Sequence, residues 1–167
     1  MRLRRLAVVP PRNSTASPSS PHPTGETQAV YFRDKRGVEP VNAFLEDLVA
    51  TSAAAAAKID AYVDEYLNGR RPGAPEPEFP ITSQIEGELR ELRVRFAKTR
   101  YRVLYQRSAN HVVLLHAFEK NSGAVSNSDK VKAQQRFADF QTRMDAKPRV
   151  PPRAVGQDAP AKGRRQP

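Results

Sequence analysis

Glu88-Leu-Arg-Glu-Leu-Arg-Val-Arg-Phe-Ala-Lys-Thr-Arg-Tyr-Arg-Val-Leu-Tyr-Gln-Arg107 holds two runs of alternating apolar and charged residues with a short link between them. Side chains on a strand point alternately to its two faces. Leu92, Val94 and Phe96 therefore share one face, while Glu91, Arg93 and Arg95 share the other. Strands are predicted over 87–96, 101–107 and 112–119, with links at 97–100 and 108–111 short enough for hairpins. The third strand, Val112-Val-Leu-Leu-His-Ala-Phe118, is apolar on both faces and so belongs in the middle of a sheet.

Working outward, Ala29-Val-Tyr-Phe-Arg33 reads as a short strand followed by a turn at Asp34-Lys-Arg-Gly37. Pro40 suits the first position of a helix, where its missing N–H costs nothing. Val41, Phe44, Leu45, Leu48 and Val49 then follow helical spacing. Thr51-Ser52 caps a second helix with Ile59, Tyr62, Val63, Tyr66 and Leu67 on its apolar face, ended by Asn68-Gly69. Residues 70–80 hold four prolines and read as an irregular loop. Ser126-Asn-Ser-Asp129 caps a last helix with an inner stripe of Val131, Ala133, Phe137, Phe140 and Met144. The predicted fold is α+β in the order βααβββα. A small antiparallel sheet of about four strands packs against an N-terminal helical hairpin and a C-terminal helix.

Composition bounds the rest. The 167 residues carry a formal charge of +10 and no cysteine, which excludes disulfides, thiolate chemistry and cysteine-based zinc sites. Three scattered histidines do not suggest a metal site. Residues 1–28 are basic and rich in Pro and Ser, and residues 147–167 are basic without periodicity, so both are predicted to be disordered tails around a domain at 29–146. The tails carry much of the charge: +3 over 1–28 and +5 over 147–167, against +2 over 29–146. The apolar run from Leu6 to Val9 is too short for a signal peptide, and no stretch approaches the ~20 apolar residues of a membrane helix. A cytoplasmic protein is expected.

The informative charge is local. Across 88–107, Arg90, Arg93, Arg95, Lys98, Arg100, Arg102 and Arg107 stand against Glu88 and Glu91, a net of +5 interleaved with Tyr101 and Tyr105. Guanidinium groups hold phosphates bidentately, and aromatic rings stack unpaired bases. The plain alternative is a solvated sheet face whose arginines pair with Glu88, Glu91 and helix carboxylates. His116, Phe118 and Lys120 alternate onto one face of the central strand. Together they offer proton transfer, stacking and phosphate stabilisation, although a single histidine in such a strand also suits a hydrogen-bonded core position. Cleavage of RNA without a metal needs a group that orients the 2′-hydroxyl and cations that stabilise the pentavalent phosphate. The acidic clusters that hold magnesium in most nucleases are not evident.

Glu91-Leu-Arg93, Tyr101-Arg-Val-Leu-Tyr105, Leu114-Leu-His-Ala-Phe-Glu-Lys120 and the helix after them resemble the phage-derived, HigB-like branch of the RelE/ParE toxin superfamily over residues 30–144. The resemblance implies the toxin of a type II toxin–antitoxin pair. Such a toxin is a metal-independent endoribonuclease that cuts messenger RNA on translating ribosomes by 2′-hydroxyl attack and needs no cofactor. It implies catalytic roles for Arg93, Arg102, His116 and Lys120, and an RNA contact for Phe118. Strand geometry adds Arg95 and Tyr101 as RNA-binding residues, with Lys98 and Arg100 beside them. Where this branch often has two lysines, this chain has Lys120-Asn121. The implied partners are the message, the ribosome and an adjacently encoded helix-turn-helix antitoxin, with no membrane partner. Alternatives are a ParE-like gyrase inhibitor and a non-catalytic nucleic-acid-binding phage or regulatory module.

Overall fold

The structure, a computed structural model, describes residues 25–121 and 123–157. The predicted tails therefore lie outside the described residues over 1–24 and 158–167. The elements in chain order are β1 (Gln28–Tyr31), α1 (Pro40–Tyr66), β2 (Thr82–Glu86), β3 (Leu89–Phe96), β4 (Thr99–Ser108), β5 (His111–Lys120) and α2 (Asn127–Asp145). Their spatial order in the sheet is β1-β5-β4-β3-β2. The class is α+β, as expected, but two features correct the prediction. The sheet has five strands and is mixed, because β1 runs parallel to β5 while the other pairings are antiparallel. In place of a helical hairpin there is one long helix, kinked where Ser52 adopts extended dihedrals. Ser52 Oγ accepts a hydrogen bond from the Ala55 N–H at 3.3 Å, so the predicted cap forms and restarts the helix.

Each face of the sheet has its own core. Leu92, Val94, Tyr101, Val103, Tyr105, Val112 and Leu114 pack towards Val41, Leu45, Ile59 and Val63 of α1. Leu89, Leu104, Val113 and Leu115 pack towards Ala133, Phe137 and Phe140 of α2. The doubly apolar β5 lies between β1 and β4, covered on both sides, as its sequence requires. Each such fully buried Leu or Val contributes about 1.5–3 kcal/mol. Val49 and Val131, placed on the inner stripes by their spacing, are instead exposed.

Both hairpins close through two residues, Ala97-Lys98 and Ala109-Asn110, so the strands reach further inward than predicted. Ala97 (φ 52°) and Ala109 (φ 51°) hold the left-handed backbone that tight hairpins favour. A β-bulge between β4 and β5 pairs Leu104 with His116 and Tyr105 with Leu114. The unpaired Leu115 packs with the α2-side core, and His116 bonds Asp129 of α2. The bulge thus turns two consecutive side chains to one face.

Part of the stretch assigned to the C-terminal tail lies along β1. The Tyr31 N–H donates to Arg153 O at 3.0 Å, and the Val155 N–H donates to Ala29 O at 2.9 Å. Val30 and Ala154 form an antiparallel bridge. The Arg153 guanidinium donates from Nε to Glu39 Oε1 at 2.9 Å, with Nη2 at 2.8 Å from the same oxygen, and lies over the Tyr31 ring at 4.6 Å. This strap covers the outer edge of β1, which would otherwise expose unpaired backbone groups.

Candidate nucleic-acid-binding groove

Strand register gathers the cations into rows on the α2 side of the sheet. Arg95, Arg100 and Lys120 lie side by side across β3, β4 and β5, and the next row holds Arg93, Arg102 and Phe118. A third row holds Glu91, Leu104 and His116. Arg93, Arg100, Arg102 and Lys120 line a groove of about 310 Å³. Ser83, Gln84 and Ile85 of β2 close one side, and Gly123, Ala124, Val125 and Lys130 border the other. Arg100 Nη2 donates to the backbone oxygen of Asn121 at 2.8 Å, which ties the position after Lys120 to the groove wall.

Like charges opposed across strands destabilise a sheet. Glu91, the one carboxylate in the lining among the described residues, offsets this. It is buried, with Oε2 3.1 Å from Arg102 Nε and Oε1 3.3 Å from Arg93 Nη1. Ser83 Oγ donates to Oε1 at 2.7 Å. Arg102 is 4 % exposed and also donates from Nη1 to Tyr101 O at 2.9 Å. Burial pulls its guanidinium down from its ordinary pKa, and Glu91 works against that shift. Glu91 and Arg102 thus form a fixed base beneath the more exposed cations. The sequence showed Glu91 only as a counter-charge and gave no sign of Ser83 or Lys130.

His116 stands at the α2 end of this base. Its Nε2 is 2.8 Å from Asp129 Oδ1, and its Nδ1 is 3.3 Å from Arg136 Nη1. A guanidinium only donates, so Nδ1 accepts and Nε2 carries the proton given to Asp129. Burial pushes the His116 pKa below its ordinary 6.5, and the Asp129 hydrogen bond opposes it. Ser126 Oγ donates to Asp129 Oδ2 at 2.6 Å and accepts from its N–H at 3.1 Å, so the helix cap also orients the histidine's partner. Phe118 is half-buried, its ring 5.2 Å from that of His116 and packed against the α2-side core.

The remaining predicted residues scatter. Tyr101 is a correction: it pairs with Val94, is 5 % exposed and packs against Phe44 in the α1-side core. Alternation with Arg100 and Arg102 forces it to the opposite face from the groove. Arg95 is exposed, with Nε donating to Ala97 O at 3.2 Å, and Lys98 is exposed on the hairpin turn. The local charge also divides between faces. Arg90 and Arg107 meet Glu76 at 3.7 and 2.7 Å, and Tyr105 Oη donates to the same carboxylate at 3.1 Å. The proline-rich loop thereby offsets part of the charge on the far side and leaves the groove side basic.

A family model for the phage-derived Gp49-like protein matches residues 46–138, more than half of the chain and all four strands that build the groove. The chain belongs to the Gp49-like family. This is a family of the RelE/HigB-like toxin type, which agrees with the broader resemblance read from the sequence. A search of curated proteins finds no match. Among the described residues of this Gp49-like protein, no helix is long and apolar enough to cross a membrane. No group of three or more His, Asp or Glu side chains is gathered as for a metal ion, again among the described residues.

Proposed function

We propose that this Gp49-like protein is the toxin of a toxin–antitoxin pair and that its groove cuts messenger RNA on the translating ribosome, in the manner of the HigB-like branch. The observation that carries this reading is the cationic groove, in which Arg93, Arg100, Arg102 and Lys120 surround one carboxylate that fixes two of them. In this reading a strand of RNA lies along the rows with a phosphate over Arg93, Arg100 and Lys120. The buried Arg102 adds field from below, without the flexibility of a surface side chain. As the 2′-oxygen attacks phosphorus and the bond to the 5′-oxygen breaks, a 2′,3′-cyclic phosphate forms, the hydroxyl proton passes to water and the leaving oxygen takes one from it. Charge develops on the phosphate oxygens on the way, and preorganised cations stabilise that state more than the ground state. His116, with both nitrogens engaged, contributes by locking β5 to α2 and so placing Phe118 and Lys120. Neutralisation falls to an antitoxin that covers or distorts the groove, a role suited to an acidic partner.

The test is induction in a bacterial host, with translation, message integrity and DNA supercoiling followed separately. Rapid translation arrest with cleaved messages supports the reading. Loss of supercoiling with intact messages would sink it in favour of a gyrase target. Arg93→Ala and Arg100→Ala should each slow cleavage by about 10²–10³-fold, the usual cost of losing one group that stabilises developing charge. Arg102→Ala is a poorer test, because stranding the buried Glu91 costs about 3–5 kcal/mol of stability by itself.

A further inference from the structure

Phe79 is an anomaly in an otherwise well-anchored loop. Around it, Glu76 holds Arg90, Arg107 and Tyr105, Pro77 is buried, and Thr82 Oγ1 donates to Pro77 O. The chain nevertheless leaves Phe79 69 % exposed, the one aromatic among the large exposed hydrophobics of the described residues. It is not loose. The Arg93 guanidinium lies 4.7 Å from the ring centroid, and Glu91 holds that guanidinium at 3.3 Å. The Arg93 N–H donates to Ile81 O at 2.8 Å, which fixes the loop's exit beside the same residue. Glu91, Arg93 and Phe79 thus form a chain running from the buried base of the groove to an open aromatic surface at its β2 side.

A flat ring held by a guanidinium, exposed to water and adjacent to phosphate-binding cations has the composition of a single-strand nucleic-acid platform. Unpaired bases stack on aromatic rings and on arginine planes, while the neighbouring cations take the backbone. We infer that Phe79 and Arg93 form a stacking subsite for one unpaired nucleobase next to the phosphate held by the groove. The inference rests on the ribonuclease reading and adds a base contact that neither Tyr101, which is buried on the other face, nor the half-buried Phe118 provides. A stack reads a π-face and not a hydrogen-bonding edge, so the subsite accepts any base and favours the larger purines.

The chain contains no tryptophan, so Phe79→Trp introduces a single indole at the subsite. The full chain carrying this change is titrated at low salt with a single-stranded 2′-O-methyl oligonucleotide, which 2′-hydroxyl attack cannot cleave, and with an abasic oligomer of equal length. Base-bearing strands should quench the indole emission of the Phe79→Trp variant, and abasic strands should leave it unchanged. In the otherwise unaltered chain, Phe79→Ala should weaken binding of the base-bearing strand by roughly 5- to 150-fold, the span expected for one lost stack, and leave abasic binding as it was. Equal quenching by both strands, or equal affinity of Phe79→Ala and the parent for the base-bearing strand, overturns the subsite and leaves the groove's phosphate role intact. If the parent binds neither strand, the subsite falls, while the ribonuclease reading is decided separately by message cleavage after induction.

Discussion

A histidine ring with Asp129 on one nitrogen and Arg136 on the other has a fixed tautomer and no nitrogen to spare. Glutamine offers the same pair of functions, an N–H for Asp129 and a carbonyl oxygen for Arg136, but does not titrate. His116→Ala should take one hydrogen bond from each partner, leaving Asp129 to Ser126 and Arg136 to the Leu115 carbonyl, lower stability by about 1–3 kcal/mol and reduce RNA cleavage. His116→Gln should restore most of both, as read by urea unfolding and message-cleavage rates. If His116 transfers a proton, His116→Gln will instead be as inactive as His116→Ala, a loss of about 10²–10⁴-fold. Glu91 shows the same economy. One carboxylate collects Ser83, Arg93 and Arg102, so a single residue sets the geometry of the groove's interior. Its importance was hidden in the sequence because alternation shows which residues share a face, but not which of them is buried beneath the others. Tyr101 is the opposite case. Alternation from Arg102 places it on the opposite face of the strand, where it packs in the core.

Elements differ in how plainly the chain announces them. The β3–β4–β5 meander follows from alternation and short links, and the cap of α2 from Ser126 and Asp129. β2 leaves little mark in the sequence, because Thr82-Ser-Gln-Ile-Glu86 is short, largely polar and follows a proline-rich loop, as suits an edge strand. The parallel direction of β1 leaves no local mark, since a strand's own pattern is the same whichever way its neighbour runs. The strap over β1 was invisible for a related reason: its Pro- and Arg-rich composition predicts no structure, and a few backbone hydrogen bonds with one ion pair hold it. Those few contacts make a sharp prediction. Arg153→Ala should destabilise the fold by about 3 kcal/mol, the low end for breaking a buried pair, because Arg33 remains 3.7 Å from Glu39. Hydrogen exchange should show Tyr31 and Val155, whose N–H groups cross the strap interface, losing protection first. Unchanged protection there would mean that the strap holds without its anchor.

At the scale of the molecule, two histidines make stability depend on pH. Burial pushes His111 and His116 below their ordinary 6.5; Arg149 adds to the first shift, while Asp129 opposes the second and Arg136 adds to it. The folded protein therefore binds fewer protons than the unfolded chain as pH falls through about 6.5, and stability must decline there. Asp129 does not obscure this window. Burial raises its pKa, but the Ser126 and His116 hydrogen bonds outweigh that and leave it lower than 3.8, so its own contribution is lost only in stronger acid. Unfolding free energy measured from pH 7 to 5 should fall steadily, and less steeply in His116→Gln; a flat profile would contradict the buried-histidine assignment. The parallel pairing of β1 with β5 also has a consequence for synthesis. Val30 cannot meet its partner Val113, nor the strap at Ala154, until those residues have left the ribosome. Until then the backbone edges of the first strand wait unpaired. The meander from β2 to β5 can pair before β1 joins the sheet, and the strap at Ala154 can close over β1 only after that.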